Sequence, residues 1–201
     1  RADMIAALET LPTPQRPRLL LKVTGWSRLG FLNAIFPDAK FIHLIRDGRA
    51  VANSLLQVPW WHGWQGPHRW RFGPLSAENQ ALWEQHDESF VALAGIAWNI
   101  LTDSVYTAKD QIDPDRFLHL SYEDLCADPL TTFRRAVEFC DLPWSDPLET
   151  AIAQTPLRNT NHKWRQDLTP AQQRTLQTVT TTQLAQWGYD LVDFDANVDT
   201  A

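Results

Sequence analysis

Short, predominantly apolar runs bounded by turn residues alternate along this chain with stretches in which apolar side chains recur every three or four positions. Residues 19–23, 40–45 (KFIHLI) and 117–120 (FLHL) are strand-sized and mostly apolar, the signature of buried strands of a parallel sheet. Between them lie helical patterns. Leu29, Leu32, Ile35 and Phe36 fall on one face of a segment that Ser27 is placed to cap, and residues 50–57 read as the opening of a second helix. Ser76 starts another, running to about Phe90 and broken before a further helix over 92–108; residues 129–139 and 170–186 complete the set, with 141–147 read as loop. At the front, Met4, Ile5 and Leu8 share a helical face over residues 2–9, ended by the prolines of 10–17. Strands alternating with helices predict an α/β fold of three layers around a parallel central sheet, in one domain over residues 1–201.

Composition changes this picture little. The chain has 201 residues, 44% hydrophobic and 21% charged, enough for a real core. Its net charge of −6, from 18 Lys and Arg against 24 Asp and Glu, argues against a non-specific nucleic-acid binder but leaves room for a small anionic ligand held by a few focused cations. No apolar run approaches the length of a membrane span. Cys126 and Cys140 have neither CxxC spacing nor a nearby histidine pair, so they read as plain buried thiols and no metal site is expected. Four of the ten tryptophans, Trp60, Trp61, Trp64 and Trp70, crowd a Pro- and Gly-rich loop over 59–74. A long loop of that composition is a place for function.

The candidate chemistry centres on Arg46-Asp47-Gly48-Arg49, where the second strand runs into a helix, with Ser54 eight residues after Arg46. Ligands of open α/β sheets sit beyond the carboxyl ends of strands, and a helix N-terminus offers free N–H groups and positive potential to an anion. An arginine fork and a serine hydroxyl there suit a phosphate. The bland alternative is an arginine paired with Asp47 in a structural turn, and the four residues by themselves leave both readings open.

The segment FPDAKFIHLIRDGRAVANSL resembles the 3′-phosphate-binding segment of the sulfotransferases that use 3′-phosphoadenosine 5′-phosphosulfate (PAPS), with Arg46 and Ser54 at the family's spacing. FLHLSYEDLCADPLTTFRRAVEFCDLPW is similar to the family's strand-Tyr-Glu-Asp-Leu segment, which places Tyr122 near the nucleotide, and NHKWRQDLT resembles the basic C-terminal loop over it, implicating Lys163, Trp164 and Arg165. The resemblance implies a P-loop-related fold, PAPS as co-substrate without a metal, and a small-molecule, carbohydrate or peptide acceptor with a hydroxyl or amine. It further implies that Lys22, 24 residues before Arg46, neutralises the departing phosphate. For Tyr122, a strand end with acids serving a helix dipole stays open as an alternative. For 163–165 it is a solvated surface run, and Trp98 reads as core.

His62 and His68, in the Trp-rich loop, are the candidate general bases, with His86, Asp87 and Glu88 as others. The loop's indoles, with Arg69 and Arg71, suit an acceptor, or else bury themselves against the helices. His43, inside its strand, reads as a satisfied core residue. None of the eight glycines forms a loop for the 5′-phosphosulfate, and the chain opens on Arg1. The expectation is therefore a C-terminal portion lacking the N-terminal strand and that loop, incomplete as a catalyst by itself. A nucleotide- or glycan-binding module, or a P-loop kinase-like enzyme, are the competing classes.

Overall fold

A computed structural model describes residues 17–194 without interruption, together with 10–14 and positions 2, 6 and 8. Met4 and Ile5 of the helix expected over 2–9 lie outside the described residues; the described positions 2, 6 and 8 are helical. In chain order the elements are α1 (Leu29–Ile35), β1 (Phe41–Ile45), α2 (Gly48–Leu56), α3 (Ala77–Gln85), α4 (Phe90–Lys109), β2 (Phe117–Ser121), α5 (Tyr122–Ala127), α6 (Pro129–Phe139), α7 (Asp146–Gln154), α8 (Trp164–Asp167) and α9 (Pro170–Gln186). β1 and β2 pair in parallel, Phe41 against Phe117 through Ile45 against Ser121, joined through α2, α3 and α4. The fold is α/β with a parallel sheet.

α4 is the axis of the core because its sequence is small and apolar all round. Ala92, Ala94, Gly95 and Ala97 are buried with Val91, Leu93 and Ile96, so α2 and α9 approach it closely. The sheet meets this helical layer through Phe41 and Phe117, which join Leu29, Val105 and Ile112, and through Ile45, which packs with Trp98 and Leu184. Trp98 is core, as its helical setting predicts. The turn over 86–89 separates α3 from α4 as expected: Asp87 and Glu88 both adopt positive φ, and the Ser89 hydroxyl caps α4 by accepting from Ala92 N–H at 3.1 Å.

Three expectations are corrected. Residues 19–23 form no strand: they have no ladder partner among the described residues, and Leu20 is 89% exposed. An apolar run has a strand's composition whether or not a sheet edge is there to receive it. α1 begins after Arg28, a left-handed residue at φ 51° with no side-chain cap, while the Ser27 hydroxyl instead lies 3.2 Å from that of Ser104. The 141–147 loop ends early because Ser145 caps α7 and Pro147 occupies its first turn, where a missing N–H costs nothing. Cys126 and Cys140 are free, as expected, but only half-buried.

Two features of this packing yield predictions. A Cβ on Gly48 would lie 2.4 Å from ring carbons of Trp98, so Gly48→Ala should cost about 1–3 kcal/mol in denaturant unfolding; unchanged stability would refute this packing. His43 and His119, register partners, place their Nδ1 atoms 3.1 Å apart, and Trp187 stacks on His119 at 5.1 Å between centroids. Burial, and then the neighbouring His119, push His43 from 6.5 down to about 4. Burial, then Arg135 and Lys109, lower His119 as well. Neutral imidazoles thus favour the folded state fully above pH 6.5, and that contribution is lost as pH falls towards 4. For His43 the loss is on the order of 3 kcal/mol. Urea unfolding across that window should show a steep slope that His43→Leu flattens; an equal slope in both proteins would overturn the assignment.

Candidate functional site

The turn between β1 and α2 is organised by a buried ion pair. Asp47 caps α2 by accepting from Arg49 N–H at 2.9 Å, and its carboxylate also takes Arg49 Nε at 3.0 Å and Nη2 at 2.8 Å. The Arg49 guanidinium donates further to Gln177 of α9 and to the Asp190 carbonyl, both at 2.9 Å, and lies 5.0 Å over the Trp164 ring. It is therefore Arg49, not Arg46, that pairs with Asp47 in a structural turn. Behind this pair stands Glu123, at the start of α5. It accepts from Asp47 N–H at 3.1 Å, from the Asn161 side chain, and from the Tyr189 hydroxyl at 3.0 Å. Burial foremost, then the Glu123 charge, pushes the Tyr189 hydroxyl upward, which keeps it a proton donor.

Arg46 is thereby left for other work. Its Nε donates to Asn161 Oδ1 at 2.8 Å and Nη2 to Thr160 Oγ1 at 3.0 Å, while its planar face lies 4.6 Å over the Tyr122 ring. Tyr122 is fixed in turn by donating to the Arg158 carbonyl at 2.9 Å, and burial foremost raises its hydroxyl pKa. Among the described residues Arg46 has no carboxylate partner, and its Nη1 is uncommitted. A half-buried guanidinium held by neutral groups retains its full charge for a ligand.

That charge opens into a cavity of about 650 Å³ between two walls. One is β1–α2, with Arg46, Asn53, Ser54 and Gln57; the other is Thr160, Lys163, Gln166 and Asp167. Asn53 Nδ2 donates to Asp167 Oδ2 at 2.7 Å and ties the walls together. The Ser54 hydroxyl and the Lys163 ammonium have no partner among the described residues and are exposed. An arginine, a hydroxyl and a lysine around one cavity are the donor set for a tetrahedral oxyanion. A second recess, of about 420 Å³ around Trp26, Leu29 and Phe31, has no such convergence of cations.

Of the residues singled out in the sequence, Arg46, Ser54 and Lys163 meet at this cavity, and Tyr122 stands behind Arg46. Trp164 does not line it: 1% exposed, it anchors the far wall in the core, with Arg165 stacked on it at 5.0 Å from outside. Lys22 is exposed on the unpaired 17–24 segment, and His62 and His68 sit in the Trp-rich loop, all three off the cavity wall. Sequence reasoning missed Thr160 and Asn161, which aim Arg46, and the Asn53–Asp167 tie. Its one available signal was the polar run Asn159-Thr160-Asn161 just before Lys163. No cluster of three or more metal-ligating side chains occurs among the described residues, and no helix there is long and apolar enough to cross a membrane.

Known proteins share this arrangement of elements. The structure is similar to the sulfotransferase domain of the curacin biosynthetic pathway, at a TM-score of 0.54 and 19% identity, over 82% of this chain and 58% of that one. Among curated relatives, a protein-tyrosine sulfotransferase of Drosophila melanogaster is 25% identical over 131 residues, covering 65% of this chain and 22% of the relative. Carbohydrate sulfotransferase 2 of Mus musculus is 30% identical over 131 residues, 56% of this chain and 24% of the relative. The chain thus spans less than a third of the length of either relative. The family model described as the sulfotransferase family matches residues 4–146, well over half of the chain. This chain belongs to the sulfotransferase family.

Proposed function

We propose that the chain carries the 3′-phosphate site of a PAPS-dependent sulfotransferase. The observation that carries this reading is the Arg46 guanidinium, held by Thr160, Asn161 and Tyr122 without a counter-ion, and facing the free Ser54 hydroxyl and Lys163 ammonium across one cavity. A dianionic phosphate placed there receives charge-assisted hydrogen bonds from both walls at little reorganisation, because Arg46 is already aimed. PAPS supplies the sulfuryl group. The acceptor oxygen or nitrogen forms a bond to sulfur as the bond from sulfur to the bridging oxygen breaks, and the electron pair leaves with adenosine 3′,5′-bisphosphate while the acceptor proton passes to a base. This chain's contribution in the cavity is to bind and orient the donor through its 3′ end; Lys22, His62 and His68 take no part in that wall. The relatives' names point to tyrosine and carbohydrate acceptors.

Arg46→Ala should weaken adenosine 3′,5′-bisphosphate by about tenfold to a hundredfold in calorimetry, corresponding to about 1.5–3 kcal/mol. Adenosine 5′-phosphate, which lacks the 3′ group, should change by no more than about twofold. Equal losses for both nucleotides would overturn the assignment.

A further inference from the structure

The Trp-rich loop does not bury all its indoles. Trp61 and Trp70 sit in the core with Phe72, and Trp70 meets Phe72 edge-on at 5.2 Å. Trp60 and Trp64, by contrast, are 44% and 65% exposed. The two buried rings, a 3₁₀ turn over Gly63–Gln65 and a hydrogen bond from the Trp70 indole N–H to the Gly73 carbonyl hold the loop in one shape. The exposed indoles are therefore displayed on an ordered support. Trp64 has no hydrogen-bonding, ionic or ring partner among the described residues. Exposed indoles on a loop anchored by its own buried aromatics are a feature of binding sites.

The charges beside it say what kind. Arg71 lies 5.9 Å over the Trp60 ring, and among the described residues the Arg69 side chain donates only to Gln65, at 3.1 Å; both are exposed and neither has a carboxylate partner there. Two uncompensated arginines in a chain of net charge −6 are a local basic focus on an acidic molecule. Indole faces separated by polar side chains suit the alternating apolar and hydroxyl-bearing faces of sugar rings, where a lipid needs a continuous apolar patch. A peptide that binds by strand addition needs a free strand edge, which a loop of 3₁₀ and turn backbone does not offer. The loop also begins at the rim of the anion cavity. Trp60 is three residues from Gln57 of its wall, within about 11 Å along the chain.

We propose that Trp60, Trp64, Arg69 and Arg71 form a binding surface for an acidic carbohydrate, a chain of sugars bearing carboxylate or sulfate groups. Its role as the acceptor surface rests on the sulfotransferase reading above; the binding itself does not. Calorimetric titration of the full chain with a hyaluronan hexasaccharide, which carries a carboxylate on every second sugar, tests it beside neutral maltohexaose and an acidic tyrosine-containing peptide. The hexasaccharide should bind. Trp64→Ala and the double variant Arg69→Ala/Arg71→Ala should each weaken it by about tenfold or more, while adenosine 3′,5′-bisphosphate affinity stays within about twofold. Absence of saturable hexasaccharide binding, equal affinity for maltohexaose, tighter binding of the peptide, or indifference to Trp64→Ala would each overturn the proposal. Loss of nucleotide affinity in Arg46→Ala is read separately, so failure of the donor site and failure of the sugar surface are distinguishable.

Discussion

A carboxylate and a guanidinium can be buried together only when each satisfies the other, and the Asp47–Arg49 pair, two residues apart, meets that condition with two guanidinium hydrogen bonds and a third from the Arg49 backbone N–H. The rest of the site depends on it. Because Asp47 is consumed by Arg49 and by the cap of α2, it is unavailable to its sequence neighbour Arg46. Because Arg49 reaches α9, the Asp190 carbonyl and Trp164, the end of β1 is fastened to the C-terminal third of the chain. Removing either partner leaves an uncompensated charge in the interior, a loss that unsettles both walls of the cavity at once.

Charge placement in the cavity follows the same economy of partners. Arg46 is oriented by an amide oxygen, a hydroxyl and an aromatic face, all neutral, while Glu123, which holds Asn161, is already shared among Asp47, Asn161 and Tyr189. Asp167 does face the cavity, yet it accepts from Asn53. The local acids are thus committed to neighbours other than Arg46, which leaves its guanidinium without a counter-ion at the cavity of an overall acidic chain.

The parts of this arrangement legible in the sequence are those fixed by local pattern. β1, β2, α6 and α9 stand where apolar period and turn residues put them, within a residue or two, and Arg46, Ser54 and Lys163, from two separate family-like segments, line one cavity. What was not legible depends on partners far along the chain. Residues 19–23 have the composition of a strand without a ladder partner, and the exposed Ile42 and Leu44 on β1 show that apolar runs here are not all covered. The roles of Arg46 and Arg49 look interchangeable in Arg-Asp-Gly-Arg; only the arrival of Gln177 and Trp164 beside one, and of Thr160 and Asn161 beside the other, separates them. Trp164 read as part of a ligand-binding run because its neighbours are basic, yet a large indole beside α2 and α9 contributes more by burial.

The two walls of the cavity differ in how they are held, and this bears on what a ligand does to the molecule. The α2 wall is one regular helix packed on α4. The opposite wall is a 3₁₀ turn and a single helical turn, fixed by Trp164 in the core and by the bonds of Asn161 and Asp167 to Glu123 and Asn53. Short elements with few internal hydrogen bonds draw their stability from such tertiary ties. On the reading proposed above, an anion bridging Arg46 and Ser54 to Lys163 would add ties of the same kind, between the same two segments, and would stabilise the folded state by mass action. The cavity is thus a junction in the fold, where a regular helix and a tertiary-tied turn meet.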